Sequence, residues 1–299
     1  MQVPIQSGGA ALKLEAEEFG AAEKGTILLI MGLGTQLIAW PMDFCRRLAV
    51  AGYRVIRYDN RDVGLSSKID SAGVPDARSA ILRGLLHLPV KAPYRLEDMA
   101  QDAVALMDAL KIERAHIVGA SLGGMIGQIL ASKHAARVAT LTLIMSSPGA
   151  PPPWDSTSQA RKVLMARPPP NATNEDLIRM RMNTYRVISG PGQSMAEETL
   201  REMARLSVER SSDSAGSRRQ LVAAMATGSL KANLRGIHVP TLIIHGRNDP
   251  LIPFRRSEQM HAGIAGSKLL LLEGMGHSFP QRLIPQIAAA IIENCALAL

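Results

Sequence analysis

The run Ala115-His-Ile-Val-Gly-Ala-Ser-Leu-Gly-Gly-Met125 decides the fold. Ile117 and Val118 end an apolar stretch that reads as a buried strand. Gly119-Ala-Ser-Leu-Gly123 follows as a G-x-S-x-G pattern. Beyond it Met125, Ile126, Ile129 and Leu130 recur at the spacing of a helix face. Ser121 is therefore predicted at a corner where a strand turns into a helix. Such a corner strains the backbone of its central residue, and side chains two positions to either side would collide. Gly119 and Gly123 remove those Cβ atoms, while Gly124 and Gly127 let the helix lie close to the sheet. Unpaired N–H groups and the helix dipole make the first turn favourable to negative charge.

Working outward, Thr26–Met31 is a continuous apolar run, and Val138–Met145 and Val239–His245 read as further buried strands. Runs of that kind are strands buried on both faces, as in a parallel sheet. Tyr53–Tyr58 and Lys268–Leu272 read as further strands. Helices are predicted over Asp43–Ala51, Ser79–Leu88, Leu96–Leu110, Ser257–Ile264 and Leu283–Leu297. Strand and helix alternation with right-handed crossovers gives an α/β fold, a doubly wound and mostly parallel sheet. Ala11–Phe19 alternates apolar and charged residues and predicts an exposed antiparallel edge strand. From 147 to 235 no strand pattern occurs. Helices are expected there over Asn174–Ile188, Met195–Val208 and Ser217–Thr227, with Ser194 and Glu197 at capping-box spacing. This segment reads as a helical cap (147–235) inserted into a core formed by 1–146 and 236–299.

A serine hydroxyl needs a base to become nucleophilic. An imidazole suits the task at neutral pH, and a carboxylate must hold that imidazole in one tautomer. Of the seven histidines, His134 and His261 fall in predicted helices, His87 in an irregular region, and His116 and His238 at strand starts. His245 ends a strand and is the weaker contender. His277 follows the last strand in Gly274-Met-Gly-His-Ser278, at the sheet edge expected to hold Ser121. Asp249 follows the preceding strand in His245-Gly-Arg-Asn-Asp-Pro250, with Asp155 as the alternative acid. Asp59 is expected to brace its own turn with Arg61. The chain order Ser121, Asp249, His277 suits this architecture. An oxyanion would be met by the backbone N–H groups of Leu122 and Leu33.

The composition is that of an ordinary globular protein, with 46% hydrophobic and 20% charged residues. Aromatic residues are only 3%, too few for a base-stacking or sugar-stacking surface. The net charge of +8 comes without any Lys/Arg run longer than two, so a solvated basic surface is expected and no nucleic-acid partner. Segment 147–235 carries 13 Lys/Arg against 8 Asp/Glu and six methionines. Those thioethers either pack the cap or line an adaptable apolar pocket. Cys45 and Cys295 read as buried small side chains. With no signal peptide pattern and no apolar run of about 20 residues, a cytoplasmic protein without stable membrane insertion is expected. A homo-oligomer is compatible with the sequence.

Four signatures occur in order: Met31-Gly-Leu-Gly34, Tyr58-Asp-x-Arg-Asp-x-Gly-x-Ser66, Gly119-x-Ser-x-Gly-Gly124, and Asp249 with Gly276-His277. On these the chain resembles the α/β-hydrolase superfamily over nearly its whole length. Ala39-Trp-Pro41, Ile56-Arg-Tyr-Asp59 and Gly274-Met-Gly-His277 are similar to the aclacinomycin methylesterase type of carboxylesterase. The resemblance implies ester hydrolysis through an acyl-enzyme, with no metal and no organic cofactor. Met31 departs from the pattern, because many members carry His before the oxyanion glycine. The expected substrate is a small-molecule ester with a small to medium acyl group or a methyl ester. A lactonase, a perhydrolase and a carbon–carbon bond hydrolase would use the same three residues.

Overall fold

The computed structural model describes residues 1–86, 88–169, 171–191 and 195–298. The strands are β1 (Gln2–Ser7), β2 (Ala10–Phe19), β3 (Thr26–Ile30), β4 (Arg54–Tyr58), β5 (Ala115–Ala120), β6 (Val138–Ile144), β7 (Thr241–Gly246) and β8 (Lys268–Leu272). They form one sheet in the order β1-β2-β4-β3-β5-β6-β7-β8. All pairings from β4 to β8 are parallel, and only β1 and β2 run antiparallel to their neighbours. Every residue of β3, β5, β6 and β7 is buried, as expected of strands covered on both faces of a parallel sheet.

The helices are α1 (Met42–Val50), α2 (Ala77–Leu85), α3 (Leu96–Ala109), α4 (Leu122–Lys133), α5 (Ser158–Leu164), α6 (Asn174–Ile188), α7 (Glu197–Arg210), α8 (Ala215–Thr227), α9 (Lys231–Leu234), α10 (Arg255–Gly263) and α11 (Ile284–Cys295). One face of the sheet is covered by α3 and α4, whose Met99, Ala103, Leu106, Ile126 and Ile129 join Leu28, Ile30 and Ile117 in one core. The opposite face is covered by α1 and α11, where Phe44, Leu48, Ile287 and Ile291 pack on Ile27, Leu29 and Val118. The doubly wound sheet expected from the sequence is thus present. Helices α5 to α9 all lie between β6 and β7 in the chain. Within that segment α6 and α7 pair through Ile178, Met182, Leu200 and Val208, with Met195 and Met203 against them. Three of the six methionines therefore fill a helix–helix seam.

The edge strand is misplaced in the sequence reading. β2 is flanked on both sides, and β1 forms the edge. Val3, Ile5 and Ser7 point inward in strict alternation, but Pro4 masks the pattern. Proline lacks a ladder donor and is tolerated on an edge. Gly8 and Gly9, at φ +57° and +79°, make the two-residue hairpin that joins the strands. His134 follows α4 rather than lying inside it, and the short helices α5 and α9 escaped periodicity. Helix α7 begins at Glu197 behind Ala196; Ser194, like His87, lies outside the described residues. Cys45 and Cys295 are buried and free. Among the described residues no helix is long and apolar enough to cross a membrane.

Candidate active site

Parallel strands deliver their C-terminal ends to one edge of the sheet, and ligands of such sheets bind there. Ser121 follows β5, Asp249 follows β7 and His277 follows β8, so three residues far apart in sequence meet on that edge. Ser121 sits at φ +53°, ψ −117°, the strained corner expected of a residue between strand and helix. The glycines around it are a matter of space. A Cβ on Gly119 would lie 2.3 Å from the Gly123 carbonyl oxygen, and one on Gly123 would lie 2.0 Å from that of Ile30. Ser146, at the end of β6, donates its hydroxyl to the Ser121 carbonyl at 2.7 Å and braces the corner from the other side. No sequence signal marks Ser146 for this part.

His277 Nε2 lies 3.0 Å from Ser121 Oγ, and its Nδ1 lies 2.7 Å from Asp249 Oδ2. An ionised carboxylate only accepts, so Nδ1 carries the hydrogen and Nε2 faces the serine as acceptor. Asp249 Oδ1 accepts the N–H groups of Leu251 and Ile252, each at 2.8 Å. Burial by itself raises the Asp249 carboxyl, but the His277 charge and hydrogen bonds from His245 and His277 outweigh it and hold the group at about 2. The His277 loop is anchored from the segment between β6 and β7. His277 N–H donates to the Ile188 carbonyl at 2.7 Å. A Cβ on Gly276 would lie 2.1 Å from the Ser189 carbonyl oxygen, so the end of α6 presses directly on this loop. The alternative acid, Asp155, is instead paired with Arg255 and Arg256.

Because its folded value lies below the ordinary 3.8, Asp249 adds stability above about pH 4 that is lost as pH falls through about 2. The difference amounts to about 2 kcal/mol. Urea unfolding of wild type and Asp249→Asn should show their stability gap narrowing by about that amount between about pH 5 and about pH 2. An unchanged gap would mean that the carboxylate is not held in its charged form.

Leu33 and Leu122, the expected oxyanion donors, flank the serine. Leu122 opens α4, where the N–H has no carbonyl one turn earlier. A Cβ on Gly32 would lie 3.1 Å from the Ser121 Cβ, which places the Gly32–Leu33 peptide beside the hydroxyl. The loop after β3 is held at several points. Asn60 donates to the Met31 carbonyl at 3.1 Å, the Gln220 side chain accepts from Gly34 N–H at 2.8 Å, and Asp59 accepts from Leu37 N–H at 2.6 Å. Asp59 does brace its own turn, accepting the Leu65 N–H at 2.9 Å, but not with Arg61. It instead receives Arg210 at 2.7 Å, from the end of α7, while Arg61 forms a two-pronged pair with Asp102 on α3 at 2.5 and 2.6 Å. Burial pushes the Asp59 carboxyl up, against the Leu37 and Leu65 N–H groups and Arg210, which pull it down. Local sequence could not have revealed this, because Arg210 is 151 residues away.

Two of the other histidines have structural partners. His116 is buried, meets Thr140 Oγ1 at 3.0 Å, and is pushed down to about 4 by burial. His261 meets Ser267 Oγ at 2.9 Å. Among the described residues no group of three or more His, Cys, Asp or Glu is placed to hold a metal ion.

The pattern of the α/β hydrolase fold family matches residues 25–280. The chain is 30% identical over 314 aligned residues to the rhodomycin D methylesterase DauP of Streptomyces sp. (strain C5), covering 93% of each chain. It is 29% identical to the rhodomycin D methylesterase DnrP of Streptomyces peucetius, again over 93% of each. Among solved structures, a thermophilic esterase from Thermogutta terrifontis superposes with a TM-score of 0.72 at 21% identity, over 100% of this chain and 99% of that one. The chain belongs to the α/β hydrolase fold family. More narrowly, its relatives named as methylesterases mark it as a carboxylic ester hydrolase.

Proposed function

We propose that the protein hydrolyses a carboxylic ester through an acyl-enzyme on Ser121. The observation that carries this reading is the hydrogen-bonded chain Ser121–His277–Asp249. In the first half-reaction Ser121 Oγ attacks the ester carbonyl carbon and His277 Nε2 takes the hydroxyl proton. The oxyanion so formed accepts hydrogen bonds from the N–H groups of Leu33 and Leu122. Asp249 stabilises the imidazolium and stays ionised. Collapse expels the alcohol, which leaves with the proton from His277. Water then attacks the acyl group with His277 again as base, and the carboxylic acid departs.

The substrate proposed is a small or medium acyl ester or a methyl ester. Two relatives named as methylesterases support the latter. Segment 147–235 is proposed to act as a cap on this edge of the sheet. Its supports are the contacts of Ile188 with the His277 loop and of Gln220 and Arg210 with Gly34 and Gln36 in the loop after β3. A fluorophosphonate probe followed by peptide mass spectrometry tests the reading. The expected adduct lies on the peptide that contains Ser121, and prior labelling abolishes turnover of p-nitrophenyl butyrate and of aryl methyl esters. An adduct elsewhere, or turnover that survives complete labelling, overturns it.

A further inference from the structure

His245 reads from sequence as a second-best base, and its position in the structure gives it another part. It ends β7 and is fully buried. Its Nε2 lies 2.8 Å from the Ile252 carbonyl oxygen and 3.2 Å from Asp249 Oδ2. Both partners accept only, so Nε2 carries the hydrogen. Its Nδ1, 2.5 Å from Ser257 Oγ, is then the acceptor for the Ser257 hydroxyl. Ser257 belongs to α10 and is itself fully buried. The chain of polar contacts therefore continues past the acid, from Ser121 through His277 and Asp249 to His245 and Ser257: the His245 Nε2–H bonds the Ile252 carbonyl and stands beside Asp249 Oδ2.

We propose that His245 is a positioning residue for Asp249, holding its carboxylate in the orientation that His277 needs; this rests on the function proposed above. Asp249 Oδ1 is fixed by two backbone N–H groups of its own loop, whereas among the described residues Oδ2 faces only the imidazoles of His277 and His245. His277 is one of these and changes charge and partner during turnover. His245 is the other and cannot move, because β7 and α10 grip it from both sides. It also closes the loop on itself, since Ile252 donates to Asp249 through its N–H and accepts from His245 through its carbonyl. A fixed N–H dipole 3.2 Å from Oδ2 keeps that oxygen aimed while His277 cycles between neutral and charged. His245 touches no reacting atom, so its loss acts on the chemical step through geometry and leaves substrate binding alone.

The test uses two polar replacements of different reach in the full-length enzyme. His245→Gln keeps an N–H near the Nε2 position, whereas His245→Asn can reach only the Ser257 side. His245→Asn should lower kcat about 30-fold with KM unchanged, and His245→Gln should recover most of that loss. Ser257→Ala, which removes the Nδ1 partner that holds the ring from α10 without touching Asp249, should lower kcat about 5-fold at constant KM. The proposal is overturned if His245→Asn folds with wild-type kcat, or if Gln and Asn are equally impaired. Should both His245 variants fail to fold, an unchanged kcat in Ser257→Ala overturns it. Fluorophosphonate labelling of wild-type Ser121 separates the outcomes: a labelled wild type with an unimpaired Asn variant removes the role of His245 alone. An unlabelled Ser121 removes the underlying mechanism.

Discussion

Ser121→Ala is expected to lower kcat/KM on ester substrates by about 10,000-fold or more, with KM little changed and the fold intact. The hydroxyl is the only atom removed, and it makes no bond that holds the corner. Backbone strain at φ +53° is borne by Gly119, Gly123 and Ser146, which remain. The loss of about 5 kcal/mol is the cost of replacing an oriented nucleophile by bulk water. Residual activity should remain above the uncatalysed rate, because the N–H groups of Leu33 and Leu122 still polarise a bound carbonyl. Adding His277→Ala to Ser121→Ala should cost almost nothing further, since a base without its nucleophile has no proton to take. Steady-state kinetics, with active-site titration to exclude traces of wild type, would measure both variants. A Ser121→Ala enzyme within tenfold of wild type would end the proposed mechanism.

Arg219→Met should destabilise the protein by about 3 to 5 kcal/mol. Arg219 lies on α8 and is 1% exposed, and its partner Asp62 is fully buried. The guanidinium binds both carboxylate oxygens, at 2.8 and 3.0 Å, and donates to the Gly73 carbonyl at 2.9 Å. Tyr94 donates its hydroxyl to the same carboxylate at 2.6 Å. Methionine would fill much of the volume but leave Asp62 charged, buried and without its cation. The approach of α8 leaves no room to rearrange, since a Cβ on Gly216 would lie 1.9 Å from the Asp62 carbonyl oxygen. Urea unfolding should show the loss, and Asp62→Leu combined with Arg219→Met should recover part of it. Equal stability of wild type and Arg219→Met would show that the pair contributes nothing net.

Catalytic efficiency should fall in Arg219→Met beyond the loss of stability. The neighbouring Gln220 bridges the Arg61 carbonyl and Gly34 N–H, each at 2.8 Å. Loosening α8 therefore loosens the loop that carries Leu33.

The strands, the corner serine and the sheet-edge loops were legible because each rests on a local signal. A short apolar run bounded by turn residues reads as a strand buried on both faces, and the glycines around Ser121 mark both the strained corner and the close approach of the helix to the sheet. Asn174–Ile188 was likewise readable to the residue, since Thr173 and Asp176 form a complete capping box. Local signals failed where a charged residue satisfies a distant partner. Asp59-Asn-Arg-Asp62 looks like a solvated polar loop, yet all four residues are buried. Their partners are Leu37, Met31, Asp102 and Arg219. Only one of these lies within about 25 residues along the chain on each side of a typical local window, so periodicity carries no trace of them.

By itself, then, the sequence determined which strands are parallel and buried, where the chain must turn under strain, and which loops a parallel sheet delivers to one edge. Burial period and missing Cβ atoms are properties of neighbouring residues, and they survive without knowledge of the rest of the chain. Tertiary structure decided the rest: that β1 rather than β2 is the edge, that Arg210 rather than Arg61 meets Asp59, and that His245 lies beneath Asp249. An ion or imidazole taken out of water needs a partner within about 3 Å. Any of several residues along the chain could provide one, and only the packing of helices on the sheet selects among them.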